Sequence, residues 1–463
     1  MAQKILKMTK TITECQSLVH SSHSKLEVGK AIWWNWKDED VDKVKTVLTS
    51  LFEQVNFGIP NSVRSRALQL AFSAEGLHSL GIAPEAIKAC GRSFAQGITT
   101  TRLNRALGDL DAASPSNWYW SDRTTYLMLL VYADTEKHLV KIYEKLTKMR
   151  DEARIKEIHT VTTRLPSDGR EPFGFADGIS NIRPNFGESA KRGNADLVPP
   201  GEVVLGLPDA LGVTESKGWL GDGGSFLVGR EIQQDVRSFW AFWSEKGGDE
   251  ENAVWLASKA MGRWPNGMPI TGSTAHEQPE WNRKKLDFDF VEDRYGDQCP
   301  LGSHIRRANP RNGLDPEHPE RSARITSAHR LLRRGRRYGA PAPAKWFPKA
   351  LKETSAAQIQ ANPEADRGLL FICLVGDIAR QFEFVQQTWL NNSRFVNLSG
   401  GVDPISAGQR LFGDEGIFVL PECPIRQRIN GLRSFTLVQG GGYFLLPSKS
   451  ALKQIISSFE PSE

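Results

Sequence analysis

Apolar and polar positions follow two periods along this chain, and they alternate in blocks. AIWWNWK (31–37) is aromatic and strand-like, and VDKVKTVLTSLFEQV (41–55) then sets Val44, Val47, Leu48, Leu51 and Phe52 on one helical face. RALQLAFS (66–73) alternates as a strand does. YLMLLVYAD (126–134) is a continuous apolar run, long enough for a buried strand. EKHLVKIYEKLTKM (136–149) returns to the helical period, and IKEIHTVTTRL (155–165) closes as a strand. The order predicted is β-α-β-β-α-β, a ferredoxin-like arrangement.

A Gly/Pro-rich stretch, roughly 166–224, precedes a second run of elements. SFLVGREIQ (225–233) reads as a strand, with helical segments around 234–246 and 252–263. HRLLRRG (329–335) and GLLFICLVG (368–376) read as strands, DIARQFEFVQQTWLNN (377–392) as a helix and GYFLLPS (442–448) as a last strand. The same order recurs with long insertions. The expected fold is therefore α+β, two tandem ferredoxin-like domains with antiparallel sheets, divided as residues 1–200 and 201–463.

Composition narrows the function classes. With 463 residues, 39% hydrophobic and 24% charged, the chain has the make-up of an ordinary globular protein, long enough for two domains. A net charge of +5 is small for this length and gives no reason to expect a nucleic-acid partner. The five cysteines, Cys15, Cys90, Cys299, Cys373 and Cys423, form no close pair, so no disulfide or metal framework follows. The N-terminus lacks a long apolar run, a twin-Arg pair and a small-residue cleavage site, and no stretch approaches a membrane span. A cytoplasmic protein without membrane contact is expected, ending in a frayed tail, SSFEPSE.

Three stretches are candidates for chemistry. FGFADGIS (173–180) holds one carboxylate, Asp177, among small and apolar neighbours. An Asp-Gly turn accounts for it unless a proton must be moved there. CPLGSHIRRANPR (299–311) places small residues before His304 and Arg306, Arg307 and Arg311 after it. A haem, with one iron and two propionates, fits that layout; so does an arginine-rich anion site with a bystander histidine. HRLLRRGRRYG (329–339) is either a solvated basic edge or an element with one inward arginine whose neighbours face solvent.

Taken together the three stretches resemble the dye-decolorising peroxidases, a family of haem enzymes. Gly174-Phe175-Ala176-Asp177-Gly178 is similar to the family's Gly-x-x-Asp-Gly motif. His304 stands in its haem-ligand segment, and Arg333 through Gly339 resembles its distal arginine segment. Similarity extends from about residue 120 to the C-terminus. Two departures stand out: Arg337 replaces the usual proline, and Asn181-Ile182-Arg183-Pro184 follows the Asp loop where Gln-Pro is commoner.

The resemblance implies one haem b per chain, held by the C-terminal domain, with hydrogen peroxide and aromatic or dye reductants as partners. It implies His304 as iron ligand, Asp177 as proton shuttle and Arg333 as the cation that stabilises charge. Gly178, Ile179 and Ser180 then lie against the haem, and Leu369 and Phe371 wall its distal side. Glu383 is the expected carboxylate partner of His304, with Asp377 as runner-up. Arg306 is expected at a propionate, with Arg307 and Arg311 as alternates. Trp264, Tyr338 and Trp389 lie in family-like segments and are unranked candidates for passing electrons to the surface. The alternative on the same scaffold is a haem carrier or a haem-processing, deferrochelatase-like protein.

Overall fold

The continuous apolar run at 127–133 needs cover on both faces, and the strand at 28–35 offers apolar side chains to both sides. A single sheet meets both demands. In the computed structural model it has ten strands: β1 (Val28–Asn35), β2 (Arg66–Phe72), β3 (Trp120–Ser121), β4 (Leu127–Ala133), β5 (Lys156–Arg164), β6 (Ser225–Gln234), β7 (Leu332–Arg333), β8 (Arg336–Gly339), β9 (Arg367–Val375) and β10 (Thr436–Leu446). The structure describes residues 11–60, 65–165, 168–187, 196–271, 278–282, 286–352, 366–408, 411, 413, 416–421 and 425–457.

The strand order is β8-β5-β1-β4-β2-β10-β6-β9-β7, with β3 beside β10. Because β8 pairs with both β5 and β9, the sheet closes on itself. Its pairings are antiparallel except the short β3–β10 contact. In the N-terminal half, α1 (Val41–Phe52) and α2 (Glu136–Glu152) cover one face. That face carries Ile32, Trp34, Leu129 and Val131, packed on Val44, Leu48, Leu51, Leu139 and Leu146. The other face turns inward, where Ala31, Trp33, Leu130, Tyr132, Leu332, Leu370 and Ile372 form a second cluster. The fold is α+β.

A third core lies outside the closed sheet. It is built on α3 (Val236–Gly247) and α4 (Glu250–Met261), whose Phe239, Trp240, Trp243 and Ala257 pack with Phe173 and Phe175 and with the hairpin Gly416–Leu420/Gln427–Leu432. The hairpin was not expected from the sequence.

Several expected elements are changed. Of the strand anticipated over 329–335 only β7 (Leu332–Arg333) forms, and β8 begins just after Gly335. A Cβ there would come within 2.7 Å of the Leu370 carbonyl. The helix anticipated over 377–392 is π-helical, in the segments Ala379–Glu383 and Val385–Leu390. The last strand begins at Thr436, six residues before the expected 442.

Arg334 and Arg336, expected in solvent, turn to the N-terminal segment, Arg336 buried and Arg334 half-buried. Arg334 donates to the carbonyls of Leu18 (2.7 Å) and Val19 (3.1 Å). Arg336 donates to those of Leu26 (2.6 Å), His23 (3.0 Å) and Ser22 (3.2 Å), and it stacks over Tyr132 at 4.2 Å.

Cys15, Cys90, Cys299 and Cys373 are free and buried, whereas Cys423, residues 1–10 and the tail from 458 lie outside the described residues. Among the described residues no helix is long and apolar enough to cross a membrane.

Replacing Arg336 by Leu strips three carbonyls of their donor. It should cost about 2–3 kcal/mol, since each buried group left unpaired costs roughly 1–3 kcal/mol. Urea unfolding followed by far-ultraviolet circular dichroism measures this. Arg333→Leu, at a solvent-facing position, should move the midpoint far less, and equal shifts would contradict the packing described.

Candidate active site

The loop 173–180 is held by its apolar border. Phe173 stacks on Phe239 with ring centroids 4.3 Å apart, and Phe175 lies parallel to Trp240 at 6.1 Å. Trp240 Nε1 donates to the Phe173 carbonyl at 2.9 Å. Beneath them Glu171 accepts from the amides of Phe173 (3.0 Å) and Phe175 (2.9 Å) and from Gln234 Nε2 (2.8 Å). The two Phe are therefore anchors, and the carboxylate between them and the next turn is free to face outward. Asp177 accepts from the Gly178 amide at 2.6 Å, and its own amide donates to the Gly169 carbonyl at 2.8 Å. Gly178 has φ of +71°, a value that L side chains rarely adopt.

Arg333 meets this loop from the sheet. Its Nη1 is 3.7 Å from Asp177 Oδ1, and its Nη2 donates to the Ser180 carbonyl at 2.8 Å. Asn181 clamps the backbone, accepting from the Arg333 amide (3.1 Å) and donating to the Arg333 carbonyl (2.7 Å). Asp177 and Arg333 are 43% and 45% exposed, so their ion pair adds little to stability. Register decides which arginine is presented: Arg333 lies directly opposite Cys373 on β9. Leu369 and Phe371, both half-buried, alternate with Cys373 on the same sheet face. The strand thus brings Arg333, Leu369 and Phe371 together.

His304 opens a short helix, α5 (His304–Ala308), after Ser303, whose Oγ donates to the Lys259 carbonyl at 2.5 Å. Its Nδ1 lies 3.1 Å from both carboxylate oxygens of Asp403. Asp403 is fully buried and also accepts from the amides of Ser406 (2.7 Å) and Ile405 (3.0 Å) and from Ser406 Oγ (2.9 Å). Burial alone would raise its pKa. The His304 imidazole and the Arg307 guanidinium outweigh burial and hold it below the usual carboxylate range.

This corrects the expected partner of His304, which is Asp403. Glu383 is turned toward Ser93 and Tyr443, and Asp377 accepts from the Arg380 amide at 2.9 Å. Asp403 stands in GGVDPIS, where the one signal was an Asp with a Ser three residues on, a capping pattern.

Arg306 and Arg307 are also corrected. Arg306 is 1% exposed and spends its guanidinium on Asp293 Oδ2 (2.9 Å) and on the carbonyls of Cys299, Asp293 and Arg294. Arg307 binds the carbonyls of Gly302, Trp389, Asn392 and Gly401. Both are ties of the local backbone, which leaves Arg311 of the three. Trp264, Tyr338 and Trp389 are all buried.

The turn after α4 joins the two sides. A Cβ on Gly262 would come 2.5 Å from Ile305 of α5, and one on Gly267 would come 1.9 Å from Ile179 of the Asp loop. Between them, Pro265 accepts from the Ala176 amide at 2.9 Å. Arg263, in the same turn, is buried and close enough to Arg311 and Arg333 to feel both charges. Arg330 likewise senses Arg311 and Arg333. Burial first, and then these like charges, push Arg263 and Arg330 down to about 10. Four guanidiniums thus crowd one region, offset by Asp196 at 3.5 Å from Arg330 and Asp287 at 3.6 Å from Arg311. Such a cluster is suited to a dianion.

No family model matches the chain. It is similar to the dye-decolorizing peroxidase msp1 of Mycetinis scorodonius, at 28% identity over 84% of this chain and 76% of that protein. It is also similar to the multifunctional dye peroxidase DyP2 of an Amycolatopsis strain, at 27% identity over 89% of this chain and 87% of that one. Among solved structures, a dye-decolorizing peroxidase in complex with 2,6-dimethoxyphenol superposes with a TM-score of 0.78 and 23% identity, covering 96% and 99% of the two chains. These relatives and this structural neighbour are dye-decolorising peroxidases, and the chain resembles them over most of its length. It is a peroxidase, and peroxidases of that type are haem enzymes.

In this peroxidase, burial pushes Glu171 up to about 7, against 4.5 for an ordinary Glu, although three hydrogen bonds and the nearby Asp177 also act on it. Glu202 is likewise pushed up to about 7 by burial. A raised carboxyl favours the fold fully below about 4.5, and that contribution is gone above about 7. Unfolding midpoints should therefore fall as pH rises from 5 to 7.5, and Glu171→Gln should flatten the dependence. A Glu171→Gln profile parallel to the parent's would show that Glu171 is ionised throughout.

Proposed function

We propose that this chain holds one haem b and reduces hydrogen peroxide, drawing electrons from phenols, dyes and other aromatic reductants. We read it as two ferredoxin-like units, meeting near residue 200, with the haem held by the C-terminal one. The observation that carries the reading is the exposed Asp177–Arg333 pair, clamped at 3.7 Å on the sheet face that also bears Leu369 and Phe371. The residues present fit a haem in two further respects. His304 turns Nδ1 to a buried carboxylate and so offers Nε2 as a ligand, and Arg263, Arg311 and Arg330 supply cations for two propionates.

Haem, when bound, would supply the iron at which the O–O bond is cleaved. The chain's own residues do the rest. The outer oxygen of peroxide must leave as water, so the proton on the inner oxygen has to reach the outer one. Asp177 takes that proton and returns it, and its outward-facing carboxylate is in reach of solvent-borne peroxide. Arg333 stays cationic and offsets the negative charge that grows on the departing oxygen. Asp403 fixes the ring orientation of His304 and makes it the stronger donor. Gly178, Ile179 and Ser180 would border the haem.

Purified His304→Ala should lose most of its haem, read as the ratio of Soret to protein absorbance. Full retention with an unchanged axial-imidazole spectrum would overturn the ligand assignment.

Asp177→Asn preserves shape but cannot carry a proton. It should slow the bimolecular reaction with peroxide by roughly 100- to 10,000-fold at unchanged haem content. Arg333→Leu should slow the same reaction far more than Arg334→Leu. Stopped-flow absorbance measures all three, and an Asp177→Asn rate equal to the parent's would reduce Asp177 to a turn residue, as in a haem carrier.

A further inference from the structure

Beside the Asp177–Arg333 pair, the same sheet face carries a feature that peroxide chemistry does not use. Arg337 stands on β8 directly across from Leu369 on β9 and from Arg164 on β5. Placing two arginines opposite each other in an antiparallel pair destabilises a sheet. Arg164 is relieved by an ion pair with Glu136. Among the described residues, the Arg337 guanidinium has one contact of marginal length, 3.5 Å to the Arg170 carbonyl. This half-buried cation stands where the family motif carries proline, and the anions that offset it are Asp168 and Glu171.

Arg337 opens into a shallow, solvent-open cleft that also takes in Arg170, Arg367, Phe347 and Pro341. The two carboxylates lining it, Asp168 and Glu171, offset Arg337 in part but are outnumbered by the guanidiniums of Arg170, Arg337 and Arg367. Asp168 accepts from the Arg170 amide at 3.2 Å, and Glu171 faces the amides of Phe173 and Phe175. Arg170 spends Nη1 on the carbonyls of Gly174 and Pro265, and Arg367 stacks over Trp346 at 5.1 Å. The cleft therefore combines guanidinium forks with an aromatic wall. Forks of this kind bind planar carboxylates through two parallel hydrogen bonds, and the wall suits a ring.

We propose that this cleft is a docking site for phenolic reductants that carry a ring carboxylate, with Arg337 as the residue that selects them. The proposal rests on the peroxidase reading for its second half, the electron donation. Peroxide takes up two electrons and two protons to give two waters, and two phenol molecules visiting in turn each give one electron and the phenolic proton. Leu369, across the strand pair from Arg337, sets the cleft beside the proposed haem wall.

The test separates docking from turnover. Calorimetric titration of the holoenzyme with 4-hydroxy-3-methoxybenzoate, with no peroxide present, reads the cleft alone. Arg337→Gln should weaken binding roughly 10- to 100-fold, the worth of a charge-assisted pair, and Arg337→Lys should recover part of it. The methyl ester of the same compound should bind the parent weakly and be nearly indifferent to Arg337→Gln. In steady-state turnover the KM of the acid should rise in Arg337→Gln by a similar factor, with little change in kcat. Equal binding of acid and ester to the parent, or equal binding of the acid to parent and Arg337→Gln, would overturn the docking site. A protein that docks the acid but does not consume peroxide would overturn the peroxidase reading and leave the docking result standing.

Discussion

Four residues, Arg336 to Gly339, hydrogen-bond along both edges, to β5 on one side and β9 on the other. This double pairing closes the sheet and joins the two halves of the chain through the backbone. Everything distinctive about the arginine-rich stretch follows from it. Once β8 is fixed between two partners, alternation is forced. Arg334 and Arg336 go inward to the carbonyls of the N-terminal segment, while Arg333 and Arg337 go to the face shared by the Asp loop and the cleft. A slip of one residue would exchange these two sets, burying the arginine that meets Asp177 and exposing those that tie down residues 18–26.

The site legible in the sequence was the part carried by short contiguous motifs. Asp177 and Arg333 were readable because each stretch contains its own reason for a special conformation: glycine after the Asp, glycine inside the arginine run. The fold was legible in its periodicities, since strands such as β1 and β4 advertise a two-faced sheet. What escaped were relations between distant segments. Asp403 reaches His304 from 99 residues away, and nothing near either residue names the other. The roles of Arg306 and Arg307 were misassigned because sequence cannot tell a guanidinium aimed at a ligand from one consumed by nearby carbonyls. The π-helical phase after β9 was equally invisible, because the apolar spacing of 377–392 suits an α-helix.

The arginines of this protein thus fall into two groups that burial alone does not separate. Arg306, Arg307 and Arg336, which are buried, and Arg334, which is half-buried, bind carbonyl or carboxylate partners, and each ties segments of backbone together. Arg263, Arg311, Arg330 and Arg333 are set near one another, with fewer anions than cations between them. The first group is structural mortar. The second holds electrostatic potential in reserve, and a low-dielectric setting makes that potential strong.

The thiols of Cys15, Cys90, Cys299 and Cys373 are buried, which matters in a molecule exposed to peroxide. Sulfur is oxidised as the thiolate, so a cysteine is protected to the extent that it stays protonated and out of reach. Burial pushes Cys15 and Cys90 up to about 12 and Cys299 up to about 11. Cys373 sits directly across the strand pair from Arg333, where a cation would ordinarily favour the thiolate, yet burial prevails and its thiol is pushed up as well. The packing that closes the sheet therefore also works as an antioxidant shield, keeping the sulfur across from Arg333 in its less reactive, protonated form.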